Sequence, residues 1–258
     1  MNVDSNSYTF GFATIMVVIV AALLSYAAIG LKPYQDTNIE LEKQQNILSS
    51  VGINVERELA EEAYSKYIKE ELVLNYKGEE VDGIAFEIDL NKELKKDQFN
   101  QRLPLFTSNI NGEKQYIIPL RGKGLWGPIW GFIALEEDLN TVYGAVFDHK
   151  AETPGLGAEI NQSFFQEPFI GKAIFEGDNL TSISVVKGGA ADGDNHAVDG
   201  ISGGTITSDG VTDMLLERLN MYLPYISKVK TEIEKEKLMA DIDSVITLND
   251  SLIQKKYE

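Results

Sequence analysis

With 258 residues, 43% of them hydrophobic, the chain can bury one sizeable core or two small ones. Its 40 acidic against 23 basic residues leave a formal charge of −17, which repels nucleic acid and anionic membrane surfaces. Cysteine is absent, so disulfides, thiolate nucleophiles and Cys-ligated zinc or iron–sulfur centres are excluded, and His149 and His196, far apart in sequence, make a weak case for a metal site, solvated or hydrogen-bonded imidazoles being the expectation.

A short tail over residues 1–9 precedes residues 10–31, FGFATIMVVIVAALLSYAAIGL, which carry no charge and are long enough to cross a bilayer as one helix. Ser25-Tyr26-Ala27 offers a small-x-small site for a cleaved signal peptide, but the leader lacks Lys and Arg and the apolar run is longer than a signal core; an uncleaved anchor is the expectation. The flanking charges, Asp4 on one side and Lys32 and Asp36 on the other, leave its orientation open. Lys32-Pro33-Tyr34 is expected to break this helix, with Asp36 or Asn38 capping a second that begins a helical stalk over 32–72. Residues 55–72 are helix-like, with Leu59, Ala63, Tyr67 and Leu72 as the buried side.

From 73 to 90 the pattern turns to short β-type runs in which Ile84, Phe86 and Ile88 alternate. Asn109-Ile110-Asn111-Gly112 makes a turn before a strand over 115–120. Strands over 130–135 and 141–147, joined by polar residues 136–140, form a hairpin. A second hairpin, 172–175 with 182–187, closes around Gly177-Asp178-Asn179. Helices return at 209–221 and 231–246, with a terminal helical segment over 231–258. Locally paired strands flanked by helices specify an α+β domain with an antiparallel sheet over 73–230, preceded by one transmembrane helix.

Three Gly-rich islands fall at strand ends. They are RGKGLWGPIW at 121–130, ETPGLGA at 152–158 and DGISGGTITSDG at 199–210. The third combines glycines that admit a ligand with hydroxyls at the start of a helix whose amides face whatever lies before it, which is phosphate-binding chemistry; the same composition also suits an ordinary N-cap. It matches neither G-x-x-x-x-G-K-[ST] nor G-x-G-x-x-G. Loops of this kind gather at one end of a sheet to form a pocket. Trp126 and Leu156 suit contact with an aromatic ring system and Thr153 its polar edge, whereas Trp130 reads as core or interface packing.

Taken together, GKGLWGPIWG, ETPGLGAEI, VKGGA and HAVDGISGGTITSDGV resemble the C subunit of the Na+-translocating NADH:quinone reductase, over nearly the full length and including the N-terminal span. The FMN-binding subunits of the related ion-translocating ferredoxin:NAD+ reductase (Rnf) complexes share the pattern. The resemblance implies FMN attached through its phosphate to a threonine in the motif Asp-Gly-x-(Ser/Thr)-Gly-Ala-Thr. On this sequence the motif falls on residues 199–205, with Gly204 in place of Ala and Thr205 as the bearer of FMN; Thr207 is the other acceptor to consider. Ser202, Gly203 and Gly204 then surround the phosphate, and Lys187 reaches the phosphate or the ring's polar edge. His196 and Asp199 serve transferase recognition or loop bracing.

The resemblance further implies a separate flavin transferase using FAD as donor. It implies one-electron relay from an iron–sulfur centre held by neighbouring membrane subunits to a second FMN on the B subunit, with the B, D and E subunits as the main partners and the quinone reductase pumping Na+. It places the chain in the bacterial inner membrane with its soluble domain periplasmic. The equivalent Rnf protein is the close alternative, and a membrane-tethered non-redox binding or assembly module is an alternative of another class.

Overall fold

The computed structural model describes residues 5–257, with the side chains described as far as Met239 and again at Ile242. Its elements are α1 (Asn6–Ser50), α2 (Ala60–Tyr67), β1 (Ile68–Leu74), α3 (Leu90–Glu93), β2 (Leu103–Ile110), β3 (Glu113–Lys123), β4 (Pro128–Leu135), β5 (Val142–His149), α4 (Ser163–Gln166), β6 (Phe175–Glu176), β7 (Asn179–Leu180), β8 (Ser184–Val186), β9 (Ala197–Asp199) and α5 (Thr205–Tyr257). Strands β1 to β5 form an antiparallel meander in sequence order; β6 pairs antiparallel with β7, and β8 pairs parallel with β9.

Side-chain alternation divides the sheet between two cores. Leu105, Tyr116, Ile118, Leu120, Ile129, Ile133 and Phe147 face α5, whose Val211, Met214, Leu215, Leu219, Tyr222 and Ile226 recur at helical spacing. Phe106, Ile117, Phe132 and Ala134 face the other way and pack with Ile47, Leu48 and Val51 at the end of α1 and with Ala63 and Tyr64 of α2. The sheet is therefore covered by helices on both faces, in keeping with the expected α+β class.

The turns explain the registers. Asn111 (φ 57°) and Gly112 (φ 94°) form the two-residue link between β2 and β3, where Ile110 pairs with Glu113. The β3–β4 hairpin closes at Lys123 opposite Pro128, and the Gly124 amide donates to the Gly127 carbonyl at 2.8 Å, leaving Leu125 and Trp126 at the tip.

Several local expectations are corrected. Lys32-Pro33-Tyr34 does not end the first helix: α1 runs unbroken through Pro33, and of the tail over 1–9 only residues 1–4 lie outside the described residues. Proline deletes one amide donor, but helix on both sides makes renewed nucleation unnecessary. The Thr37 hydroxyl donates to the Pro33 carbonyl at 3.1 Å, and Lys32 pairs with Asp36 at 2.5 Å across the same turn.

The helix expected over 55–72 is confined to α2 and a 3₁₀ turn at Arg57–Leu59, because β1 begins at Ile68 and pairs with β2, a strand with no sequence-level expectation. Residues 84–88 are not a strand: Ala85–Glu87 is a 3₁₀ turn, its Phe86 amide held by the Glu71 carboxylate at 3.2 Å. The hairpin around Gly177 is reduced to β6 and β7. Ser182, in the left-handed region at φ 64°, turns the chain away so that β8 pairs with β9 instead. The helices expected at 209–221 and 231–246 are one helix, α5, which passes through Pro224.

Candidate functional site

The three Gly-rich islands meet at the N-terminus of α5. The first is the tip of the β3–β4 hairpin, the second follows β5, and the third links β9 to α5. Glycine is required where they touch. A Cβ on Gly210 would lie 2.3 Å from the Lys123 carbonyl oxygen, and one on Gly157 would lie 2.3 Å from Thr207 Oγ1. Gly203, at φ 76°, leaves room for Leu156, whose Cδ2 would stand 2.6 Å from a Cβ there. The close approach of α5 to both other loops thus depends on side chains that are missing.

The two threonines left open by the sequence have different surroundings. Thr207 is 1% exposed, and its hydroxyl donates to Glu152 Oε2 at 2.7 Å. Thr205, the first residue of α5, is half-buried and lines a concavity of about 350 Å³ together with Lys187, Gly188, Gly189, Asp199, Gly200 and Ser202. The amides of Thr205, Ile206 and Thr207 have no protein acceptor among the described residues, while the Ser208 amide bonds the Gly204 carbonyl at 2.9 Å. These are the unsatisfied donors of a helix N-terminus, aimed where the chain enters it.

The remaining expected residues group around that point. Ser202 and Gly203 are exposed and Gly204 is buried, where a Cβ would meet Ile201 Cγ2 at 3.1 Å. Trp126 is 66% exposed and Leu156 40%, large apolar groups left uncovered beside the loops. Thr153 is exposed, and its carbonyl accepts from the amides of Leu156 and Ala158, which shapes the second island. Lys187 is exposed on the rim of the same concavity as Thr205. Asp199 Oδ1 accepts from the Ala190 amide at 2.8 Å, and His196 Nδ1 lies 2.7 Å from the Ala173 carbonyl; both brace loops. Trp130 is half-buried and lines a different concavity, near α1.

Sequence reasoning passed over Glu152. It is 5% exposed, accepts the Trp126 amide on Oε1 at 2.9 Å and the Thr207 hydroxyl on Oε2, and so ties the first island to the third. Its only signal was an acidic residue opening a loop otherwise built from glycine, proline and hydroxyl-bearing residues.

These residues fit a flavin mononucleotide. A phosphate would be held by the free first-turn amides and Lys187, both electropositive, with the glycines leaving its approach clear. A planar aromatic ring would have exposed Trp126 and Leu156 available to it, on loops joined to the same helix start.

Comparison with known proteins agrees. Residues 124–220 match the FMN-binding domain family. The C subunit of the Na+-translocating NADH-quinone reductase of Vibrio vulnificus strain YJ016 is 33% identical over 247 residues, covering 88% of this chain and 96% of that protein. The crystal structure of its counterpart from Parabacteroides distasonis matches with a TM-score of 0.71 at 44% identity, covering 76% of this chain and 96% of that one. Shewanella oneidensis NqrC matches with a TM-score of 0.64 at 26% identity, covering 74% and 98%. A relative 33% identical that spans most of both chains, with an FMN-binding domain lying over the convergent loops, places the chain in the NqrC family, the C subunits of the Na+-translocating NADH-quinone reductase, an oxidoreductase complex.

Proposed function

We propose that Thr205 carries FMN through a phosphoester and that the chain is a membrane-anchored electron carrier of the quinone reductase. The observation that carries this reading is the contrast between two hydroxyls two residues apart. Thr207 is enclosed and committed to Glu152, whereas Thr205 opens on a concavity with free helix-terminal amides and Lys187. A phosphodiester on Thr205 Oγ1 keeps one negative charge, and the amides of the first turn together with Lys187 offset it. Ser202, Gly203 and Gly204 leave the phosphate accessible, Trp126 and Leu156 bear on the ring, and Thr153 hydrogen-bonds its edge. Thr207 stays a structural donor. When attached, the flavin supplies the one-electron chemistry that no side chain of this cysteine-free polypeptide provides, relaying electrons between the iron–sulfur centre of the neighbouring membrane subunits and the B subunit.

A separate flavin transferase makes the bond: the Thr205 Oγ1–P bond forms as the P–O–P bond of FAD breaks, AMP leaves and the hydroxyl proton passes to the transferase. Nothing in Thr205's surroundings has to activate it. Residues 10–31 hold the protein in the bacterial inner membrane beside the B, D and E subunits, with the FMN-binding domain, expected over residues 73–230, on the periplasmic side; β1 extends its sheet back to Ile68, and α5 continues past residue 230 without a break. The apolar composition of α1, which is exposed over its most hydrophobic window, supports the anchor.

Production of the full chain with its flavin transferase tests the attachment. A denaturing gel is expected to show a band fluorescent under ultraviolet light for the wild type and for Thr207→Val, and a dark band for Thr205→Val. Fluorescence that survives Thr205→Val but is lost with Thr207→Val would move the bond and sink the assignment.

A further inference from the structure

Three charged side chains are buried among the described residues: Glu93, Glu152 and Arg218. Glu93 pairs with Lys96 at 2.7 Å and Arg102 at 3.4 Å, and Arg218 pairs with Glu217 at 2.8 Å. Glu152 forms no ion pair among the described residues, and its hydrogen-bond donors are a backbone amide and a hydroxyl. A carboxylate held out of water without a counter-ion is destabilising, and glutamine in its place would satisfy the same two groups at lower cost, since the Thr207 hydroxyl can rotate to accept. Space is nevertheless kept for it: a Cβ on Gly124 would lie 2.6 Å from its Oε1, and one on Gly157 2.7 Å from its Oε2. Its backbone is fixed as well, the Glu152 amide meeting His149 Nδ1 at 3.2 Å.

We infer that Glu152 is a positioning and tuning residue for the flavin. Its carboxylate holds the Trp126 loop against the first turn of α5, and its unpaired charge, one residue from Thr153, makes the attached flavin harder to reduce. This rests on the attachment of FMN at Thr205. The sign follows from electrostatics, because adding an electron beside a fixed negative charge, here one that is itself buried, is disfavoured. The two donors moderate that charge, so removing the charge and removing a donor have opposite effects on the potential. A merely structural role has no such opposition.

The test is equilibrium redox titration of the full chain, produced with its flavin transferase and solubilised in detergent, with in-gel fluorescence as the second readout. Glu152→Gln is expected to keep the fluorescent band and move the midpoint potential upward. Thr207→Val, which leaves the charge and removes one donor, is expected to keep the band and move the potential downward. Glu152→Asp retains the charge and is expected to stay close to the wild type, which serves if Glu152→Gln fails to fold. A wild-type potential in Glu152→Gln, shifts of the same sign in Glu152→Gln and Thr207→Val, or an upward shift in Glu152→Asp each overturns the inference while leaving the Thr205 assignment intact. Absence of fluorescence from the wild type itself overturns both.

Discussion

Gly157 and Gly155 lie two residues apart in one loop and are glycine for different reasons. At Gly157 a methyl group would collide with Thr207 Oγ1 and Glu152 Oε2, a buried hydrogen-bonded pair with little room to shift. At Gly155 nothing lies within 4 Å, but φ is +76°. Gly157→Ala is therefore expected to destabilise the fold by about 1–3 kcal/mol through overpacking and to reduce flavin attachment. Gly155→Ala has only left-handed strain to bear, about 1–2 kcal/mol, and keeps the buried pair. Chemical denaturation alongside in-gel fluorescence separates them: equal attachment in both variants would contradict the distinction. The glycines themselves were legible in the sequence as a loop signature. What each one faces was not, because Thr207, the residue that closes on Gly157, comes from a distant segment of the chain.

At the scale of elements, the strongest periodic signals survived folding and the short ones did not. The β4–β5 hairpin follows from two apolar runs joined by a polar turn close in sequence, and Asn111-Gly112 makes the turn its composition implies. Strand β2 was hidden because residues 103–108 are all buried, so period-two alternation is lost, and because Pro104 argues against a central strand. Pro104 is tolerated since only β1 pairs there; pairing with β3 begins at Phe106.

Helix α5 then uses that position. The Tyr222 hydroxyl, fully buried, donates to the Pro104 carbonyl at 2.7 Å and locks the helix across the sheet. Burial pushes the Tyr222 phenol well above its ordinary value, although Arg218 opposes the shift, so the group remains a donor throughout the neutral range. Tyr222→Phe is expected to lower unfolding free energy by about 1–2 kcal/mol, because it leaves a buried acceptor with one partner fewer. The denaturation midpoint measures this, and a midpoint equal to the wild type would show that the bond contributes nothing net.

For the whole molecule, α1 joins two environments in a single helix of 45 residues, about 67 Å long at 1.5 Å per residue. Its apolar stretch is exposed throughout, while Ile47 and Leu48 at its end are fully buried beneath the sheet. Removing residues 1–31 is accordingly expected to leave a folded, water-soluble protein. Removing residues 1–50 takes Ile47 and Leu48 out of the second core, at about 2–5 kcal/mol for each large side chain lost, and is expected to abolish cooperative unfolding. Thermal melts of the two truncated chains decide the matter; two identical melts would mean that the end of α1 is not part of the core.

The sequence by itself determined the apolar span, the acidic cysteine-free composition, the α+β class and the motif of the FMN-binding family, because these depend on residue type and on spacing within single segments. Tertiary structure decided which threonine is enclosed and which is open, that Pro33 does not interrupt α1, and that residues 68–74 are strand. It also revealed Glu152 as the buried link between Trp126 and Thr207. The physical reason is common to these cases: the partners that decide them, a strand, a carboxylate or a continuing helix, are brought into place by packing, and local propensity carries no record of them.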